Sequence, residues 1–216
     1  MAVLTNGIFG TIRGRLGPLV FSYRNGITVV SRRPMRSKRS KHPAAALQQA
    51  KFQLCMHFLN PIRELLNQTN PRKTKIKSGF NKAFSYQITN TIKGELPNLA
   101  IDYSLVKLSQ GTLPVPHWSE CLAISSDELQ FKWTAEFELA MARPDDLGYV
   151  AIYCPALHQW SYRKDAATRI TGTVNIDSGS FSGQNVQTFL GFISADGKWA
   201  SETVFTGEKS LPSLSE

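Results

Sequence analysis

The side chains with the sharpest chemical potential in this chain are Cys154 and His158. A thiol beside an imidazole can act as a nucleophile if the thiolate is stabilised and a third group orients the ring. Here the two sit at the end of one β-prone run and in the loop after it, with no acid placed to complete the arrangement. Asp145 and Asp146 form a second pair, in Arg-Pro-Asp-Asp-Leu-Gly. That composition reads as a turn, so the pair is expected in a solvated loop rather than in acid–base work. The histidines His42, His57, His117 and His158 lack metal-ligand spacing, and His57 reads as a core-edge residue. Cys55, Cys121 and Cys154 are odd in number and far apart, neither a disulfide framework nor a zinc pattern, and are expected to be reduced and buried. The chain has no H-E-x-x-H, no G-x-S-x-G and no P-loop. These patterns predict a protein that is not an enzyme, with no catalytic residue, cofactor or metal.

The chemistry that remains is electrostatic. The 216 residues carry 25 Lys+Arg and 16 Asp+Glu, a net charge of +9, but the excess is unevenly placed. Residues 1–80 hold fifteen bases and one acid, Glu64, a net of +14, and the rest of the chain nets −5. The candidate binding residues are Arg24, Arg32, Arg33, Arg36, Lys38, Arg39 and Lys41, followed by Arg72, Lys73, Lys75 and Lys77 in a second basic loop. Clustered cations without acids suit a polyanion or an acidic protein surface. No zinc finger, RNP signature or KH-type loop accompanies them, so any nucleic-acid grip would be nonspecific.

The elements that must carry these residues follow from periodicity. Leu19, Phe21 and Tyr23 alternate, Asn25-Gly26 follows, and a β-branched run begins at Ile27. Asn-Gly between β-prone runs marks a hairpin over about 18–32, because both turn positions need positive φ. An isolated ribbon is marginal, so it must pack on something. The glycine-rich stretch before it, Gly7 to Gly17, reads as a turn or an extended arm. Pro43 opens a helix with an apolar stripe of Leu47, Ala50, Leu54, Phe58, Ile62 and Leu65. Pro61 interrupts it, with Asn60 as the expected cap of a following helix. Ser78 caps a further helix to about Lys93, whose stripe is Phe80, Phe84, Ile88 and Ile92. The stripes are expected to pack on each other and on the hairpin.

From Glu95 onward the texture is β. Ile101, Tyr103 and Leu105 alternate as a strand, and a Pro-rich joint follows at 113–116. Short β-prone runs then recur at 121–125, 129–134, 149–153, 160–163, 169–176, 186–194 and 199–205, with Asp196-Gly197 turning between the last two. This predicts an antiparallel sandwich of immunoglobulin or fibronectin type III kind, with Trp133 in its core. The fold class is therefore α+β. A basic part, residues 1–95, is a glycine-rich arm, a hairpin and two or three helices, and residues 96–216 form the sandwich. No run of about 18 apolar residues exists, and glycines occupy the start where a secretory leader needs an apolar run, which points to the cytoplasm.

Taken in order, several segments resemble a family of unknown function common in Bacteroidota. They are Gly7 to Val20, Tyr23 to Pro34, Leu47 to Phe52, and Phe58-Leu-Asn-Pro61. Phe84-Ser-Tyr86 with Asn90, and Pro97 to Ser104 leading to Ser109-Gln-Gly111, complete the set. The similarity covers almost the whole chain. It departs at Ala44 to Lys51, where the family tends towards Thr-x-Ala-Gln-x-x-Gln-Arg. The resemblance implies a build and no activity. Together with the charge, it leads to the expectation of a structural or interaction protein. Such a protein would dock an acidic partner, or a further copy of itself, through its basic part. The alternative expectation is nucleic-acid binding by the same surface.

Overall fold

A computed structural model of the chain describes residues 2–4, 12–24, 26–35, 43–70, 78–136 and 141–213. The first element is a four-stranded antiparallel sheet. Its strands are β1 (Ala2–Leu4), β2 (Gly14–Leu16), β3 (Leu19–Arg24) and β4 (Ile27–Arg32), in the order β1-β4-β3-β2. The expected hairpin is β3–β4, which pairs Arg24 with Ile27 across a turn where Gly26 has φ +83°. One strand of the glycine-rich stretch, β2, and one before it, β1, extend this hairpin on its two sides. Gly17, at φ +55°, turns β2 back along β3.

Three helices follow: α1 (Pro43–Leu59), α2 (Arg63–Thr69) and α3 (Gly79–Asn90). Alanine, leucine and glutamine favour α1, and proline is tolerated in its first turn. Pro61 ends it, because proline has no N–H for the next helical bond; the last one runs from Asn60 N–H to the Met56 carbonyl at 2.9 Å. Asn60 does not cap α2 with its side chain; its carbonyl accepts from Arg63 N–H at 3.2 Å instead. Ser78 does cap α3, its Oγ accepting from Asn81 N–H at 3.2 Å. The expected strand around Tyr103 is shorter than its alternation suggests. A two-residue β6 (Ala100–Ile101) pairs with β5 (Ile92–Lys93), and Tyr103–Leu105 turns as a 3-10 helix with Asp102 as its cap.

Seven strands then build two antiparallel sheets. One is β11-β8-β7, from β7 (Ser119–Ala123), β8 (Glu128–Trp133) and β11 (Thr173–Asp177). The other is β10-β9-β12-β13, from β9 (Leu147–Cys154), β10 (Gln159–Thr168), β12 (Asn185–Ile193) and β13 (Val204–Ser210). Residues 169–171 form a 3-10 turn rather than the start of β11. β8 alternates, with Leu129, Phe131 and Trp133 buried and its other residues half-exposed, as a strand covered on one face must. β9 and β12 are buried almost continuously, which requires cover on both faces of their sheet.

That cover comes from two cores. Leu129, Phe131, Trp133, Val150, Ile152 and Leu190 belong to the core between the two sheets. On the other side of β9 and β12, Tyr149, Ala151, Tyr153 and Phe189 join Phe58, Leu59, Ile62, Leu65 and Phe80 from the helices. The result is three layers: helices, a four-stranded sheet and a three-stranded sheet. Polar ties fix the helical layer. Trp160 Nε1 donates to the Phe58 carbonyl at 2.7 Å, and Lys164 pairs with Glu64, the one acid of residues 1–80. The segment before β7 is held by a buried hydroxyl cluster, with Tyr149 Oη 2.5 Å from Ser109 Oγ and 2.9 Å from Thr203 Oγ1. Gly191 faces this tyrosine, where an added Cβ would lie 2.5 Å from the hydroxyl.

The stripes of α1 and α3 pack on each other, as expected, but on the β9–β12 sheet rather than on the hairpin. Neither core contains a described residue of β1–β4. The first half of α1 is also left largely open, with Phe52 half-exposed and edge-on to Phe84 at 4.9 Å.

Candidate docking surface

The residues with catalytic potential are dispersed. The Cys154 side chain lies in the core between the sheets, while His158 is exposed on the turn beyond and faces Tyr153 Oη at 3.3 Å. The fold therefore separates the thiol from the ring. His57 is exposed on α1 rather than at the core edge. Burial pushes the thiols of Cys55 and Cys121 up to about 12. All three cysteines are free and buried. Among the described residues no group of three His, Cys, Asp or Glu could hold a metal ion.

Asp145 and Asp146 part company. Asp145 is exposed, but Asp146 is fully buried and pairs with Arg169, itself 1% exposed. Arg169 Nε donates to Asp146 Oδ2 at 3.1 Å, and Arg143 N–H donates to the same oxygen at 2.9 Å. The Arg169 guanidinium lies 4.2 Å over the Phe192 ring and donates to the Pro114 carbonyl, while its own carbonyl accepts from Trp133 Nε1. Burial depresses its pKa against the pull of Asp146. The expected solvated loop is thus a structural ion pair. Turn composition hid it, because the partner is 23 residues away and the two meet only at the end of the sandwich.

The basic surface is where the fold leaves chemistry exposed. Arg24 ends β3, Arg32 ends β4 opposite Leu19, and Arg33 N–H donates to the Pro18 carbonyl at 2.7 Å. Arg36, Lys38, Arg39 and Lys41, and Arg72, Lys73, Lys75 and Lys77, lie outside the described residues. Arg32 and Arg33 line a groove of about 1020 Å³ at the β2–β3 turn, together with Arg15, Val20, Pro34 and Met35. Arg15 was not among the sequence candidates. Its membership follows from β2 pairing beside β3, which sets Arg15 opposite Val20. A usable sign was present in Gly14 and Gly17 bracketing two residues that can extend.

One face of the same sheet is mostly apolar, with Arg32 at its end. Pairing places Leu16, Leu19, Phe21, Tyr23, Thr28, Val30 and Arg32 on one side, and Arg15 and Val20 on the other, because directly opposed residues of antiparallel strands point the same way. Leu16 is 68% exposed, and Leu19 and Tyr23 are exposed as well. Arg13 stacks over the Tyr23 ring at 5.0 Å. Among the residues of β2–β4 whose side chains are described, only Thr28 is buried.

Fold and surface together define an α+β protein. It is an antiparallel sandwich with a helical layer on one face and a small, basic, exposed sheet attached. The chain belongs to a family of unknown function, DUF6266, which matches residues 11–207. No curated protein matches it. No helix among the described residues is long and apolar enough to cross a membrane.

Proposed function

We propose that this protein is a non-enzymatic structural component of a larger assembly, and that its basic N-terminal sheet is the docking element. One observation carries the reading. A four-stranded sheet with an apolar face and an arginine-lined groove contributes no described residue to either core. Small sheets are stable when a hydrophobic face is covered, and exposed patches rimmed by charge favour association. The sandwich and its helices serve as a rigid mount. Its strand order, β11-β8-β7 against β10-β9-β12-β13, supports a fibronectin type III-like arrangement, in which β9 and β12 are the central strands of the larger sheet. A cytoplasmic protein of a Bacteroidota cell, with an acidic protein surface as partner, completes the reading.

The test compares wild type with an Arg15→Gln/Arg32→Gln/Arg33→Gln variant on immobilised poly-L-glutamate and on a single-stranded oligonucleotide, over a range of salt. The reading expects binding to polyglutamate that the variant loses. Binding to neither probe, or a variant that binds as wild type does, overturns it. Binding to the oligonucleotide alone, with a steep salt slope, replaces it with the nucleic-acid alternative.

A further inference from the structure

The charge asymmetry of the chain raises the question of whether its acidic half matches its own basic groove. An exposed acidic feature of the sandwich is the β7–β8 turn. Glu128 pairs directly across from Asp177, and Ser178 N–H donates to the Asp127 carbonyl at 2.6 Å, which gathers three carboxylates at one edge. None of the five ion pairs among the described residues uses them. Like charges directly opposite on neighbouring strands are destabilising, so this edge carries a cost that a bound cation would relieve. The turn is well ordered: Ile124 N–H donates to the Glu128 carbonyl at 3.0 Å, and Ser125 Oγ donates to Asp127 Oδ1 at 2.6 Å. At its base, directly after β7, Ile124 is 53% exposed. The turn thus presents an apolar side chain flanked by acids. The groove presents Val20, Pro34 and Met35 flanked by Arg15, Arg32 and Arg33.

We infer that the occupant of the groove is a second copy of this chain, which inserts its Ile124–Glu128 turn, with Asp177 beside it. This rests on the docking role proposed above and names the partner. The two surfaces differ, so the contact is head-to-tail; repeated, it closes into a ring or runs on as a filament. Neither half can be satisfied within one contact, because each copy still offers a free groove and a free turn.

The test uses two full-length variants. One reverses the groove (Arg15→Glu/Arg32→Glu/Arg33→Glu), and the other reverses the turn (Asp127→Lys/Glu128→Lys/Asp177→Lys). All six residues lie at the surface rather than in a core, and circular dichroism checks that both variants fold. In sedimentation velocity at low salt, wild type is expected to form larger species as concentration rises. Each variant alone should weaken self-association about a hundredfold or more, since like-charge juxtaposition costs several kcal/mol. Mixed one to one, they should associate again, because the intact groove meets the intact turn and the reversed groove meets the reversed turn. That recovery also shows that both variants kept their working surfaces. A monomeric wild type, a turn variant that still associates, or a mixture that stays monomeric overturns the inference. If wild type is monomeric but still binds polyglutamate through its arginines, self-pairing falls and the docking role stands. If it does neither, both fall.

Discussion

Asp146→Ala tests how the sandwich is tied together. The substitution removes the carboxylate that accepts from Arg169 Nε at 3.1 Å and from Arg143 N–H at 2.9 Å. Arg169 stays behind, 1% exposed, with the Pro114 carbonyl and the Phe192 ring as its remaining partners. Leaving one member of a buried pair uncompensated costs about 3–5 kcal/mol. That is a large share of a total stability of about 5–15 kcal/mol. For a chain of this size it corresponds to a fall in melting temperature of roughly 6–20 °C. The assay is urea unfolding followed by tryptophan fluorescence, with calorimetry in parallel. The midpoint should fall while the slope stays near wild type, because the surface exposed on unfolding is unchanged. The double variant Asp146→Ala/Arg169→Met should recover much of the loss, because an apolar replacement of both partners removes the stranded charge. A loss below about 1 kcal/mol for Asp146→Ala, the range of exposed pairs, would refute the claim that this charge is desolvated.

Gly191→Ala should destabilise by about 1–3 kcal/mol in the same assay, because the added methyl meets the Tyr149 ring and its hydroxyl in a packed core. Ser78→Ala should cost about 1 kcal/mol by uncapping α3, and a value near zero would show the helix held by packing alone. The three cysteines should be silent to a thiol reagent at pH 8 in the native state and react together on unfolding, since burial keeps Cys55 and Cys121 protonated up to about 12. The turn after β12 should depend on acid. Hydrogen bonds from Ser194 Oγ, Lys198 N–H and the Lys198 ammonium lower the Asp196 pKa to about 2. A depressed carboxylate contributes stability above its unfolded pKa and loses it as pH falls through the folded value. The Lys198 amide resonance should therefore hold its position above pH 4 and shift as pH approaches 2; a shift completed above pH 4 would count against these bonds.

Local features were legible because local physics sets them. Asn25-Gly26 marked the β3–β4 hairpin, Pro61 ended α1, Ser78 capped α3, and the stripes of α1 and α3 point to a core. The β runs foretold seven strands within five residues of their bounds, the last beginning at Val204 rather than at 199. Misreadings arose where a short-range cap or a partner distant in sequence overrode the local pattern. Tyr103 and Leu105 alternate like a strand, but Asp102 accepts from Ser104 N–H and Ser104 Oγ and turns the chain. Asp146 sits in turn-like composition yet is buried, because Arg169 is brought to it by the sandwich. His57 lies near an apolar stripe, but the part of α1 that carries it turns this side chain to solvent.

The order of charges along the chain determined that the charge is split, +14 over residues 1–80 and −5 beyond. Periodicity determined that Leu19, Phe21 and Tyr23 share one face. Only the tertiary structure decided what covers each face, since burial depends on which elements meet and not on the pattern of either alone. The helices took the outer face of the β9–β12 sheet and left the N-terminal sheet, with its apolar side and its arginine groove, outside both cores. The hairpin foreseen as a packing partner of the helices instead contributes no described residue to either core.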